Sequence, residues 1–86
     1  MATLLITHDV DDVAFWVSSP KRAELFGAMG IKIRVFTDPQ GGKRTGLVLD
    51  VPDMAAFEAV MASPEVAAAM KVDGVHPDSL LILSEA

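Results

Sequence analysis

Short apolar runs alternate with longer amphipathic segments along this chain. The runs cover residues 4–7, 31–36, 47–51 and 80–83. Each run has the length of a strand, and their leucine, isoleucine and valine residues suit extended structure packed on a core. The two long segments between them repeat apolar residues three and four positions apart, which is the spacing of one helical face. The pattern therefore predicts the element order β-α-β-β-α-β.

The predicted strands are apolar on both of their alternating faces. Successive side chains of a strand point to opposite sides of a sheet, so a sheet with helices on one side is expected to be polar on the other. Here Leu5 lies between Leu4 and Ile6, and residues 80–83 are leucine and isoleucine throughout. A second apolar face needs a cover, and the natural cover is another copy of the chain. We predict a homodimer that pairs through its sheet faces.

The first helical segment carries start, break and stop signals. It is predicted to begin among residues 9–12, whose aspartates are N-cap candidates. Ser19 is predicted to cap a new turn after a break, with Pro20 at its first position, and Gly30 to end the segment. The predicted apolar stripe of the first part is Val10, Val13, Ala14 and Val17.

The second helical segment repeats this punctuation. Asp53 is predicted to start it, a Ser-Pro pair at residues 63–64 to break it, and Gly74 to end it. The offset from each Ser-Pro pair to the closing glycine is the same in both segments. Matching offsets favour two related βαβ halves, and two independent helices with the same cap chemistry explain them equally well.

The remaining segments are predicted to be strands and a hairpin. Strand two is predicted over residues 31–38, strand three over 44–51 and strand four over 79–84, and the glycines of residues 39–42 reverse the chain between strands two and three. Right-handed crossovers then give a ferredoxin-like α+β fold, an antiparallel sheet in the order 4-1-3-2 with two helices on one face. We expect a single ferredoxin-like domain over residues 1–86.

Composition narrows the function classes. The chain of 86 residues has a net charge of −5, no cysteine and no apolar run as long as a membrane span. We therefore expect a cytoplasmic protein with no membrane contact, no nucleic-acid partner and no cofactor. Asparagine and tyrosine are also absent, so chemistry falls to histidine, carboxylates, arginine, lysine, hydroxyls and the single tryptophan.

Both histidines are predicted to lie at one rim of the sheet. His8 follows strand one and His76 precedes strand four, with Asp11 and Asp12 nearby. Histidine titrates closest to neutrality, so His8 and His76 are candidate catalytic residues for proton transfer. The aspartates also suit a helix N-terminus and His76 an ordinary loop, and the spacing matches no metal-ligand signature, so no metal site is predicted.

A ligand pocket, where one exists, is predicted to be mainly apolar. Trp16, Phe15, Met54 and Phe57 are its candidate walls, and Arg34 is a candidate anchor for an anionic group. Core or dimer packing is the favoured alternative for Trp16, and a solvated edge-strand position is the favoured alternative for Arg34.

The whole layout resembles the dimeric α+β barrel superfamily, which includes antibiotic-biosynthesis-type monooxygenases. The resemblance is carried by residues 4–8 leading into Asp11, Asp12 and Trp16, the hairpin of residues 34–50, the runs 53–57 and 62–65, and the closing strand. It implies two sheets paired face to face. The asparagine and tyrosine on which such enzymes commonly rely are absent, and Trp16 lies in the first helix.

Two functions remain open from the sequence. One is a homodimeric barrel that binds a small, mainly apolar organic molecule, with acid-base or monooxygenase-like chemistry on it. The other is a non-catalytic module for oligomerisation or protein docking with a packed interior.

Overall fold

The apolar runs form an antiparallel sheet in the computed structural model, which describes residues 2–86. Its strands are β1 (Ala2–Asp9), β2 (Lys32–Thr37), β3 (Arg44–Val51) and β4 (Leu81–Ser84). The spatial order is β2-β3-β1-β4, which is 4-1-3-2 when it is read from the opposite edge. The two longest strands, β1 and β3, therefore form the centre, and β2 with Lys32 and Arg34 lies at an edge.

Each of the two predicted helices is a pair of short helices. The helices are α1 (Val13–Ser18), α2 (Lys21–Phe26), α3 (Met54–Met61) and α4 (Pro64–Val72), with 3-10 turns at Gly27–Met29 and Pro77–Ser79. Their buried side chains join one apolar cluster with the inward residues of β1 and β3, so the helices cover one face of the sheet. None of the helices among residues 2–86 has the length and apolarity needed to cross a bilayer.

The helix starts follow the predicted cap chemistry with one shift. Asp12 and Asp53 each accept a hydrogen bond from the backbone N–H three residues later, at 3.1 Å in both cases. Ser63 caps α4 with Pro64 at its first position. The prediction that Ser19 is the N-cap of α2 is wrong by one residue. Pro20 occupies that position, and the Ser19 hydroxyl instead accepts a weaker bond from the N–H of Lys21 at 3.3 Å.

Both helical segments end in the same motif. Gly30 and Gly74 adopt left-handed conformations with φ of 71° and 73°. The residue after each glycine, Ile31 or Val75, donates its N–H to the carbonyl five residues earlier, at 3.4 and 2.9 Å. This is the Schellman arrangement, and it buries Ile31 and Val75 beneath the helices. Both halves therefore use the same C-terminal cap.

The predicted stripe of the first helix is wrong in register. Val10 is fully buried but lies before the helix, where it forms an isolated antiparallel bridge with Val75. Because the helix begins only after Asp12, the face that meets the sheet carries Val13 and Trp16, and Val17 is 45% exposed. Trp16 is 1% exposed and belongs to the core.

Strands β2 and β4 are shorter than predicted, and only one glycine of the hairpin tip has the predicted positive φ. Strand β2 loses residues 31 and 38, and β4 begins at residue 81 because Pro77–Ser79 forms a 3-10 turn. In the tip, Gly41 has the positive φ, at 80°, and its N–H donates to the Asp38 carbonyl at 3.0 Å. Gly42 has an ordinary φ.

The sheet has two apolar faces, as the alternation predicts. Leu4 and Ile6 point to the helices and are 3% and 4% exposed, whereas Leu5 points the other way and is 40% exposed. Cross-strand pairing places the apolar residues of that second side next to one another. We call this surface the outer apolar face, and its members are Leu5, Phe36, Val48, Leu81 and Leu83.

Candidate functional site

A cavity of about 60 Å³ lies between the inner face of the sheet and the helices. At roughly 10–15 Å³ per enclosed water, it has room for about four to six water-sized groups. We call it the His8 cavity. Its polar lining is His8, Lys21, Arg22 and Asp73, and its apolar walls include Ile6, Leu47, Leu49, Leu25, Met61, Ala69 and Met70. An apolar space with a few convergent polar groups is the usual form of a small-molecule site.

His8 enters the cavity because of strand alternation. It continues the inward series of Leu4 and Ile6 on β1, and it is 4% exposed. Its cross-strand partner on β3 is Thr45, whose hydroxyl lies 2.8 Å from the imidazole Nδ1. The imidazole meets the Trp16 ring edge to face, with centroids 5.3 Å apart and an interplanar angle of 86°. Strand, hydroxyl and indole therefore hold the ring in one orientation.

Burial is the largest influence on the charge of His8. It lowers the pKa of His8 below the ordinary value of about 6.5, because the imidazolium is poorly solvated there. The nearby charge of Arg22 lowers this pKa further, while a backbone hydrogen bond and Asp9 act in the opposite direction. His8 is therefore neutral at pH 7 and able to accept a proton.

Arg22 closes the cavity beside Trp16. Its guanidinium carbon lies 4.4 Å from the centroid of the Trp16 ring, a cation-π contact. Nη1 donates to the carbonyl of Trp16 at 2.9 Å, and Nη2 donates to that of Val17 at 3.2 Å. These are carbonyls of the last turn of α1, where a cation also meets the helix dipole favourably. Partial burial lowers the pKa of Arg22, and Asp73 opposes that effect.

Asp73 links the two helical segments at the same end of the cavity. It is 4% exposed, at the C-terminus of α4, and its Oδ1 accepts a hydrogen bond from the Ser19 hydroxyl at 2.7 Å. Ser19 lies in the break between α1 and α2. The break that the Ser-Pro pair predicts thus places a hydroxyl against a buried carboxylate.

The two predicted catalytic histidines are not brought together. His76 donates its backbone N–H to the Asp9 carbonyl at 2.9 Å, but its side chain points away from the cavity and is 47% exposed. There its Nε2 contacts the carboxylate of Asp11, while Asp12 caps α1. The expected rim cluster divides because strand alternation turns His8 inward, whereas the side chain of His76 contacts the exposed Asp11. Residues 2–86 contain no group of three or more potential ligands placed to hold a metal ion.

The predicted pocket walls also separate. Trp16 lines the His8 cavity, whereas Met54 and Phe57 line an open groove between α3 and β4. Phe15 is 52% exposed on α1, because its neighbour Trp16 takes the inward position. Arg34 lies on β2 opposite Val48, beside the outer apolar face and away from the cavity. The expectation of one pocket lined by all of these residues is therefore not met.

The candidate site residues predicted from the sequence do not include four polar residues of the cavity region, namely Lys21, Arg22, Thr45 and Asp73. Thr45 starts the inward series of Leu47, Leu49 and Val51 on β3, so alternation was sufficient to predict that it faces inward. Arg22 had no such signal, because its position depends on the angle between α1 and α2 at the break.

The structure has the same fold as two solved structures. A crystal structure of an antibiotic biosynthesis monooxygenase matches with a TM-score of 0.66 and 14% identity, over 100% of this chain and 97% of that chain. A putative antibiotic biosynthesis monooxygenase from Deinococcus radiodurans matches with a TM-score of 0.57 and 16% identity, over 100% and 91%. No protein-family model and no curated protein matches the chain. The likeness confirms the ferredoxin-like fold of the superfamily that the sequence resembles.

The contact between His76 and Asp11 is expected to make the stability of the protein depend on pH. The hydrogen bond that His76 Nε2 donates to the Asp11 carboxylate raises the pKa of His76 above its ordinary value, with smaller contributions from the charges of Asp11, Asp78 and Asp9. Protonated His76 therefore stabilises the folded protein. This stabilisation is complete below about pH 6.5, the pKa of an unfolded histidine, and is lost as the pH rises through the folded-state pKa of His76. We expect Asp11→Asn to lower the pKa of His76 in an NMR titration of its imidazole.

Asp12→Asn is the matched control for this titration. It removes a neighbouring charge without touching His76, and asparagine remains a good N-cap for α1. We expect it to leave the His76 pKa nearly unchanged. Equal shifts of the His76 pKa in the two variants would contradict the conclusion that the hydrogen bond with Asp11 raises this pKa.

Proposed function

We propose that this chain is a homodimeric protein that binds a small, mainly apolar organic molecule in the His8 cavity, and that His8 exchanges a proton with it. The observation that carries the proposal is the convergence of buried His8, buried Asp73 and partly buried Arg22 on a mainly apolar cavity. Ionisable groups are rarely buried without a role, and they cluster at functional sites.

The volume of the cavity limits the size of the ligand. A space of about 60 Å³ accommodates a compact ring or a short branched molecule of about five or six non-hydrogen atoms. Met61 and Met70 form part of the wall, and unbranched methionine side chains adapt to a larger occupant more readily than branched ones. The preferred ligand is therefore small, with some tolerance for extension between the helices.

The residues of this chain support acid-base chemistry. A neutral imidazole in a partly desolvated site is a competent base at neutral pH. The two solved structures of the same fold are named antibiotic biosynthesis monooxygenases, which makes an oxygenase-type reaction the second chemistry to test. Of the two histidines predicted from the sequence, only His8 enters this proposal.

The outer apolar face supports the homodimer. Leu5, Phe36, Leu81 and Leu83 are 40%, 48%, 52% and 49% exposed in one copy of the chain. Fully burying a side chain of this kind contributes about 1.5–3 kcal/mol, so covering several half-exposed ones strongly favours association. The central position of Leu5, between β3 and β4, places the apolar residues inside a rim that includes the Asp9–Arg44 ion pair. An apolar centre with a charged rim is typical of subunit interfaces.

The alternative function is a docking or oligomerisation module whose interior is only packing. The small volume of the cavity is the observation that favours it. In that case the outer apolar face carries the function, and the cavity binds nothing.

A cavity-filling variant tests the proposal. Ala69 lines the cavity from α4, so Ala69→Leu is expected to occupy the space that a ligand needs. We expect five-membered ring compounds at millimolar concentration to shift the amide NMR signals of cavity residues in the unaltered protein. In Ala69→Leu we expect binding at least about tenfold weaker, a difference of about 1.4 kcal/mol.

Ala67→Leu is the matched control on the exposed side of the same helix. It is expected to bind as the unaltered chain does, and circular dichroism checks that both variants are folded. Unchanged binding in Ala69→Leu, or no binding by the unaltered chain, would contradict the proposal and favour the docking module.

A further inference from the structure

The hydroxyl of Thr45 determines which nitrogen of His8 carries the proton. Thr45 Oγ1 lies 3.0 Å from the carbonyl oxygen of His8 and 2.8 Å from its Nδ1. A carbonyl oxygen only accepts hydrogen bonds, and a hydroxyl has a single hydrogen to donate. If Thr45 donates to the carbonyl, its oxygen is left to accept a bond from Nδ1. With both contacts formed as hydrogen bonds, the proton of the neutral imidazole therefore lies on Nδ1; a hydroxyl that donated to Nδ1 instead would place it on Nε2.

The other ring nitrogen of His8 then has an unused lone pair. Among residues 2–86 no protein group forms a hydrogen bond with Nε2. Within the same residues, no fully enclosed side-chain nitrogen or oxygen lacks a hydrogen-bond partner. Nε2 is therefore not fully enclosed by protein, and the space that His8 lines is the His8 cavity. Nε2 is thus a hydrogen-bond acceptor, on a 4% exposed side chain, beside a mainly apolar space.

The cations near His8 are engaged elsewhere. Arg22 directs both terminal nitrogens to backbone carbonyls of α1. Lys21 lines the outer part of the cavity, where its ammonium lies 3.9 Å from the Glu24 carboxylate. Neither of these side chains is therefore the partner of Nε2, which is left to a water molecule or a bound ligand.

We infer that the ligand of the His8 cavity presents a hydroxyl or N–H group to Nε2 of His8, and that Thr45 is the positioning residue that makes Nε2 an acceptor. This inference rests on the proposed function and narrows its ligand class to hydrogen-bond donors. A ligand with only acceptors leaves Nε2 unpaired, and an unpaired buried polar group lowers affinity. A carboxylate is disfavoured further, because it would face the lone pair of a neutral ring.

Pyrrole and furan test this directly, because the two rings have the same size and differ in an N–H donor against an oxygen acceptor. We expect pyrrole to bind the unaltered chain about tenfold more tightly than furan in NMR titrations, the effect of one buried hydrogen bond. Equal or inverted affinities would overturn the inference while leaving the proposed function standing. Binding of neither compound would overturn both.

Two variants of Thr45 and one spectrum separate positioning from packing. Thr45→Ser keeps the hydroxyl and is expected to keep the preference for pyrrole. Thr45→Val keeps the volume, loses the hydroxyl and is expected to reduce the preference to about twofold or less. Long-range ¹H–¹⁵N correlation spectra of the unaltered chain are expected to show His8 protonated on Nδ1. Protonation on Nε2 in the unaltered chain would overturn the inference without requiring any variant to be stable. A full preference retained in folded Thr45→Val would overturn it as well.

Discussion

Trp16→Ala is expected to lower the free energy of unfolding by about 3–5 kcal/mol, the range for removing a large aromatic side chain from a core. Trp16 is 1% exposed and holds two of the cavity residues, through edge contact with His8 and through the cation-π contact with Arg22. A domain of ordinary stability has only about 5–15 kcal/mol in total. Urea denaturation at fixed protein concentration measures the loss.

Phe15→Ala is the control for this prediction. Phe15 precedes Trp16 on the same helix, has a similar aromatic side chain and is 52% exposed. We expect its removal to change the free energy of unfolding by less than about 1 kcal/mol, as exposed positions do. Similar losses in both variants would mean that α1 presents a different face to the sheet.

Leu5→Asp is expected to convert a dimer into a folded monomer. Leu5 pairs across strands with Val48 and Leu83, so an introduced carboxylate there has apolar cross-strand neighbours on both sides. In a symmetric dimer the change occurs twice, and burying an unpaired charge costs several kcal/mol. Sedimentation at micromolar concentration is expected to give the 9.1 kDa mass of one chain for the variant and twice that mass for the unaltered protein.

Val48→Asp and Val72→Asp complete this experiment. Val48 lies on the outer apolar face, whereas Val72 is 58% exposed at the end of α4 in the helical layer. We expect Val48→Asp to be monomeric and Val72→Asp to remain dimeric. If both Leu5→Asp and Val48→Asp stay folded and dimeric, the copies pair through another surface. If the unaltered chain is monomeric, the homodimer in the proposed function is wrong.

Much of the fold could be predicted from the alternation of residues along the strands. The series Leu4, Ile6 and His8 on β1 faces the helices, and Leu5 faces outward, because extended backbone leaves no other choice. The helix breaks were equally readable, since Pro20 and Pro64 cannot continue an earlier turn of hydrogen bonds.

The site was less predictable because it depends on boundaries and angles. Because Asp12 is the N-cap of α1, Trp16 faces the sheet in place of the predicted Val17. Strand alternation places His8 in the cavity, whereas His76 lies outside the strands and contacts Asp11 away from the cavity. Arg22 reaches the cavity only through the angle between two short helices, which local sequence patterns do not specify. These are details of register and packing, whereas the element order is set by hydrophobic periodicity.

A crystal structure of the protein soaked with pyrrole tests the central claim most directly. We expect density for one ring between the sheet and the helices, with its nitrogen within hydrogen-bond distance of His8 Nε2. Ala69→Leu crystals treated in the same way are expected to show none there. A soaked structure in which side chains of the protein fill the cavity, or in which pyrrole binds only on the outer apolar face, would contradict the claim.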